Sequence, residues 1–426
     1  MKRRVAITGI GMVTPLGVNV ATTWQQLIAR QSGIAPIQQF DAGGFPATMA
    51  AEVKGFVPDP ALLTKSNRYA SKITLFALEA ALQAMRDADM TITDEIRRRF
   101  GIVTGAGMMT SEYESLERFQ KTCAVNGDVD WAMLQAKSRE FCELSDFAKT
   151  TSNTGLALLI QQFGLKGYAS AVHTACASGG QALGLAMRVI RRGDADFMLA
   201  GGFDSMISPL GLSSFCLLGA LATDKDVCAS RPFDATRQGF VLGEGAAFLV
   251  LEEWSRAQAR GARIYAELAG EGNTLSSYRI TDSPPDGSGA KQAILGALRD
   301  AGLSPTDVDY INAHGTSTKM NDLSETNAIK SVFGEHAYRM PVSSTKSQTG
   351  HLIAAAGALE AAFSVLAITH GQVPMTANLH NPDPECDLDY VVEGPRQQAV
   401  RAVLSNSFGF GGSNSCLLFK HPEFGE

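Results

Sequence analysis

Residues 171–191, AVHTACASGGQALGLAMRVIR, read as a strand, a turn of small side chains and an amphipathic helix. The strand reading covers 171–175, and apolar residues then recur at helical spacing over 180–191. Cys176 falls on the turn, flanked by Thr174 and Ala175 on one side and by Ala177, Ser178 and Gly179 on the other. A thiol at a helix start meets free N–H groups and the positive end of the helix dipole, which lower a cysteine pKa from about 8.5 to roughly 3.5–7.5. The expectation is an ionised nucleophile, with neighbours small enough to admit a bulky thioester and to aim a backbone N–H at its oxygen.

The same alternation extends in both directions. Runs at 4–9 (RVAITG), 101–105 (GIVTG), 197–201, 246–252, 264–270, 308–312 and 415–419 read as buried strands. Residues 70–87 and 290–301 read as helices, so the chain is an α/β layered fold. A faint echo suggests duplication: the glycine loop 239–245 (GFVLGEG) runs into AAFLVL, and 409–414 (GFGGSN) runs into SCLLF. A polar helical stretch at 252–262 marks the seam, which divides the chain into an N-terminal half, 1–255, and a C-terminal half, 256–426.

The 426 residues, 45% hydrophobic and 19% charged, are enough for a large core. A formal charge of -6 argues against binding nucleic acid or anionic lipid over the whole surface. Seven scattered cysteines without a CxxC pair favour neither a disulfide framework nor a zinc knuckle, and fit a reducing, cytoplasmic setting. The start, Met1 to Arg4 followed by VAITGIGMV, is broken by Thr8, Gly9 and Gly11 and reads poorly as a secretion signal. Residues 351–368 are the most membrane-like, but their alanines, Gly357, Ser364 and Glu360 indicate a buried helix and no membrane insertion.

Two histidines sit in similarly small surroundings, His314 in NAHGTST after a strand and His351 after SSTKSQTG at the mouth of that helix. With Lys346 and Cys176 they form a set able to hold an acyl group and stabilise a carbanion. Zinc is an alternative for the Cys-His-His set, although the local spacing typical of zinc is missing. Gly9 and Gly11 resemble the opening of a dinucleotide fingerprint, but the third glycine is absent and Pro15 follows.

Taken together, VAITGIGMVTPLG, TACASG, GDADFMLAGG, SRPFDATRQGFVLGEGAAFLVLEE, NAHGTST, SSTKSQTGHLIAAAGALE and NSFGFGGSN resemble a β-ketoacyl-[acyl carrier protein] synthase of the elongating Cys-His-His type, similar to synthase II, across essentially the whole chain. The resemblance implies the thiolase fold, a duplicated five-layered α/β/α/β/α body, and a homodimer or a heterodimer with a related subunit. It implies Cys176 as nucleophile, His314 and His351 as donors in decarboxylation, and an oxyanion held by the N–H groups of Cys176 and Phe410. By the same analogy Lys346 organises His351 and Glu325, Thr316 and Thr318 contact the pantetheine, Phe408 and Phe410 form the gate loop, and Met108 lines the acyl tunnel.

No metal or redox cofactor is implied, since the phosphopantetheine arm arrives with the acyl carrier protein, itself the partner. Lys65, Arg68 and Lys72 form a basic cluster where carrier proteins dock in this family, and steering an acidic partner to an acidic protein needs such a local patch. His173, Arg279, Lys319 and Asn321 depart from the usual pattern and leave the acyl substrate open, fatty-acid or specialised polyketide or polyene. Two rival readings are a thiolase, which calls for a second catalytic cysteine in the glycine-rich loop, and a chain-length-determining subunit, which would lack the nucleophile.

Overall fold

The computed structural model describes residues 3–107, 113–141 and 144–425. The main sheet runs through ten strands in two successive sets. The first comprises β1 (Val5–Val13), β2 (Phe100–Ala106), β3 (Ala169–Val172), β4 (Phe197–Ser205) and β5 (Leu242–Glu253). The second comprises β6 (Ala266–Leu275), β7 (Tyr310–Asn312), β8 (Val342–Ser343), β9 (Ala402–Gly409) and β10 (Ser413–Lys420). Their spatial order is β8-β7-β9-β10-β6-β1-β5-β4-β2-β3, with a short pair, Ile34–Pro36 and Met49–Ala51, attached beside β5.

Read outward from the middle, 1-5-4-2-3 is repeated as 6-10-9-7-8. Both sets begin with two antiparallel pairings and end with two parallel ones. They join where Ala6 faces Glu267 and Ile7 faces Ala266. The glycine-loop echo is therefore genuine, because the strands it announces, β5 and β10, occupy equivalent places.

The helices complete the layers: α1 (Lys72–Asp87), α2 (Ser178–Arg192), α3 (Ser288–Ala301), α4 (Lys319–Phe333) and α5 (Ala356–His370). α1 covers β1, β4 and β5 on one outer face, while α3, backed by α4, covers β6 and β10 on the other. Between the two sets of strands lie α2 and α5, packed on each other and on strands of both sets. This is the expected five-layered arrangement.

Helix α5 is apolar nearly all round because it has no solvent face; 89% of the stretch Ile353–His370 is buried. Gly9 and Gly11 lie within β1, not on a phosphate-binding turn. A Cβ at either would stand 2.2 or 2.0 Å from the backbone oxygens of Ala84 and Ala80, so these glycines let α1 lie close on the strand.

Candidate active site

Cys176 follows β3 on a single 3₁₀ turn, Ala175–Ala177, that leads into α2. The turn requires Ala175 at φ +49°, a left-handed conformation that disfavours a residue bearing a Cβ by about 1–2 kcal/mol. Ser178 braces it: the buried hydroxyl accepts from the Thr174 N–H at 2.9 Å and donates to the Ala175 carbonyl at 2.7 Å. The end of β9, which carries Phe408 and Gly409 in place of the gate loop expected there, crosses directly above, and Phe410 begins the turn that follows. A Cβ on Gly409 would come within 2.7 Å of the Thr174 oxygen and 3.2 Å of the Cys176 nitrogen, so only glycine allows that approach.

The sulfur does not behave as its place at a helix start suggested. Cys176 is 6% exposed, and burial pushes its thiol up to about 12. The charge on Lys346 and backbone hydrogen bonds from Phe410 and Cys176 itself pull the other way without prevailing, and the nearby Asp204 carboxylate pushes it higher still. The resting group is a neutral thiol; desolvation outweighs the helix start.

His314 lies two residues beyond β7. Its backbone N–H and that of Gly315 donate to the two oxygens of Glu325, at 2.9 and 2.8 Å, and Asn406 donates to the same carboxylate. Glu325, on α4, is pushed up to about 6 by burial. His351 is held by the other half of the chain, its N–H on the Val241 carbonyl at 2.7 Å and its carbonyl receiving the Gly243 N–H at 2.9 Å.

Lys346, 1% exposed, donates to the His314 carbonyl at 2.7 Å, faces His314 Nδ1 at 3.3 Å, and forms a buried ion pair with Glu360 of α5. This corrects the expected partners. The ammonium sits on His314 and Glu360, not between His351 and Glu325, because α5 brings Glu360 in from the central layer. Burial pushes Glu360 up to about 7 against the pull of Lys346.

These contacts decide the state of both imidazoles. An ammonium can only donate, so His314 Nδ1 is an acceptor and its proton is on Nε2. His351 Nδ1 accepts from the Ile353 N–H at 3.2 Å, which places its proton on Nε2 as well, and that nitrogen is buried without a partner. Burial first, then the Lys346 charge, holds both rings well below the usual imidazole range, so both are neutral.

The rings stand 5.3 Å apart, nearly perpendicular, and the ligand atoms of Cys176, His314 and His351 lie within 4.8 Å of one another. Zinc would need a lone pair from each ring. Here the lone pairs are engaged by Lys346 and Ile353, so the rings offer hydrogens instead.

Phe408 meets His314 edge-on at 5.7 Å, and Phe240 meets His351 at 5.2 Å. A cavity of about 280 Å³ reaches the thiol and both rings past Thr316, Thr318, Phe408 and Phe410. The hydroxyls of Thr316 and Thr318 are 2.9 Å apart. Sequence reading missed Glu360 as the lysine's partner and Phe240 as the wall of His351, although GFVLGEG had drawn notice as a repeat. Met108 lies outside the described residues.

None of Lys65, Arg68 and Lys72 lines the cavity. Lys65 is exposed, and Arg68 lies over the Tyr69 ring. Lys72 is bound at 2.7 Å to the buried Glu244, so the cluster's uncommitted charge is smaller than its sequence suggests.

Residues 2–257 match the family described as "Beta-ketoacyl synthase, N-terminal domain", and residues 265–380 match "Beta-ketoacyl synthase, C-terminal domain". The chain belongs to the β-ketoacyl synthase family. It is 43% identical over 427 residues to a 3-oxoacyl-[acyl-carrier-protein] synthase 2 of Coxiella burnetii, covering 98% of both chains, and 42% identical over 421 residues to one of Synechocystis, again covering 98% of both.

Among solved structures, a β-ketoacyl synthase from Burkholderia phymatum matches at 33% identity with TM-score 0.88, covering 99% of this chain and 100% of that one. A complex described as a "type II PKS acyl-carrier protein in complex with its ketosynthase bound to the hexaketide" matches at 36% identity and TM-score 0.88, with the same coverage. The β-ketoacyl synthase described here thus has the thiolase fold.

Proposed function

We propose that this synthase catalyses decarboxylating Claisen condensation: an acyl group passes from acyl carrier protein to Cys176 and then joins malonyl-acyl carrier protein, giving 3-oxoacyl-acyl carrier protein, CO₂ and free carrier protein in fatty-acid or related polyketide chain elongation. The observation that carries the reading is the pair of neutral imidazoles beside a buried thiol, each with its hydrogen on Nε2.

In the first stage Cys176 Sγ attacks the thioester carbonyl, with the oxyanion on the N–H groups of Cys176 and Phe410. The carbon-sulfur bond to pantetheine breaks, and the thiol proton of Cys176 ends on the departing pantetheine sulfur. A neutral resting thiol suits this stoichiometry, because nucleophile and leaving group exchange one proton.

In the second stage the malonyl carboxylate leaves as CO₂, and its electron pair moves onto the thioester as an enolate. Two preorganised donors at low dielectric stabilise that charge, and one such donor is worth about 2.7–4 kcal/mol. The enolate carbon attacks the acyl-Cys176 carbonyl, the tetrahedral oxyanion collapses, and the released sulfur takes a proton from water. Neither stage calls for a metal or redox cofactor.

We also propose a dimer, of two copies or with a related subunit, and a cytoplasmic location. A thiolase reading would want a second nucleophile in the cavity, but Cys416 is on β10, wholly buried, and does not line it. The test is intact-protein mass spectrometry with acyl- and malonyl-carrier protein. Cys176→Ala should gain no acyl mass and make no product, whereas His314→Ala should still become acylated while CO₂ release falls about 100-fold or more. Normal acylation of Cys176→Ala would sink the assignment.

A further inference from the structure

The wall formed by residues 314–319 grades from buried to exposed. His314 is 2% exposed and Thr316 5%, Thr318 is half-buried, and Lys319 is exposed. All four line the cavity that ends on Cys176. The wall therefore runs inward from Lys319 at the rim to His314, which lies beside the nucleophile.

A phosphopantetheine arm has a matching order of chemistry: thioester at its tip, two amides along its length, and a phosphodiester where it joins the carrier protein. With the thioester on Cys176, the amides would pass the paired hydroxyls of Thr316 and Thr318, and the phosphodiester would reach the rim. We propose that Lys319 binds this phosphodiester and so fixes how deeply the arm is inserted. The proposal rests on the condensing-enzyme reading above and adds to it a recognition site for the anionic end of the arm.

Three features equip Lys319 for the role. Its ammonium makes no hydrogen bond or ion pair among the described residues, so its charge is uncommitted. Its backbone is pinned by Arg237, buried at 3% exposure, which donates to the Thr318 carbonyl at 3.2 Å and the Lys319 carbonyl at 3.1 Å. Arg237 is itself held by Asp383 at 2.6 Å and Asp322 at 3.4 Å, so the first-turn acid of α4 faces inward to Arg237, not out to Lys319.

The other charged group lining the rim, Asp282, would repel a phosphate, but Arg279 stands 3.4 Å away and offsets it. The hydroxyls of Thr281 and Ser283 and the amides of Gln238 and Asn321 complete a rim on which Lys319 is the one unpaired charge among the described residues.

The test compares one acyl group on two carriers, 4′-phosphopantetheine and pantetheine lacking the phosphate, with kcat/KM for acylation of Cys176 read by mass. The wild type should prefer the phosphorylated thioester, and Lys319→Ala should reduce that preference about fivefold, the size expected of one exposed charge pair. Lys319→Arg should retain most of it, and the preference should shrink with added salt. A folding defect would slow both thioesters alike and leave their ratio unchanged.

An equal preference in wild type and Lys319→Ala, or no preference in the wild type, overturns the role of Lys319 while leaving the condensing enzyme intact. Failure of the wild type to take the acyl group from either thioester or from acyl-carrier protein would overturn the condensing-enzyme reading, and the proposal with it.

Discussion

The two halves of the molecule build the same turn and put it to different uses. In the N-terminal half, β3 leads to Ala175 at φ +49°, a 3₁₀ turn and α2; in the C-terminal half, β8 leads through Lys346–Thr349 to Ile353 at φ +48°, a 3₁₀ turn and α5. Counting from the left-handed residue, Cys176 corresponds to Ala354, and His173 corresponds to His351. Duplication supplied two equivalent elbows against one central layer, and the chemistry comes from the places where they differ. One holds the thiol, and the other holds an imidazole with a lysine-glutamate pair behind it.

The comparison of His173 with His351 isolates what burial contributes. His173 is exposed, with Nδ1 2.8 Å from the Ala106 carbonyl and Nε2 3.2 Å from Ser152 Oγ, so both its nitrogens have partners. His351 is 1% exposed and presents an unpartnered Nε2–H to the cavity. Substituting each with alanine should therefore separate them sharply. CO₂ release from malonyl-carrier protein should fall about 10²–10³-fold in His351→Ala, the loss typical of one donor at developing negative charge, and only a few-fold in His173→Ala. Similar losses in the two variants would mean that the asymmetry of burial is not what assigns the chemistry.

The second largest effect concerns the thiol. If burial sets its state, alkylation of Cys176 by iodoacetamide should quicken about tenfold per pH unit from roughly pH 7 to pH 10 with no plateau, since the thiolate fraction keeps rising below a pKa near 12. A plateau below about pH 7.5 would restore the helix-start expectation. Lys346 lowers the thiol pKa by its charge, so Lys346→Met should raise it and slow alkylation at every pH in that range.

Much of this organisation was legible along the chain. Short β-branched runs and helical apolar spacing report local burial, so β4, β5, α2 and α3 stand close to where their residues indicated, and the repeated glycine loops hinted at the two equivalent sets of strands. The motifs also carry Cys176, His314, His351 and Phe410 into one cavity. What stayed hidden depends on contacts between layers. Glu360 reads simply as a charge in an apolar helix until α5 is set beside Lys346, and Phe240 gives no sign that it walls His351. The state of Cys176 was misjudged because the spacing reveals a helix start but not the desolvation that overrides it.

The smallest effect tests how each elbow is braced. The N-terminal elbow carries its own support, since Ser178 bridges the Thr174 N–H and the Ala175 carbonyl. The C-terminal elbow has Ala356 at that place and borrows support from elsewhere: Asp204 of β4 accepts the Ala354 N–H at 3.0 Å, and the His351 ring accepts the Ile353 N–H. Ser178→Ala leaves a half-buried N–H and a carbonyl without this partner, which should cost about 1 kcal/mol in a denaturant titration. It should also slow acylation of Cys176 several-fold, because the strained Ala175 loses the contact that fixes the direction of the thiol. CO₂ release from malonyl-carrier protein should change less than acylation does, since His314 and His351 are anchored by Glu325 and by the backbone of Val241 and Gly243, neither of which involves Ser178. Equal losses in both steps would show that the two elbows respond as one unit through the packed α2 and α5, and that their separate bracing has no bearing on catalysis.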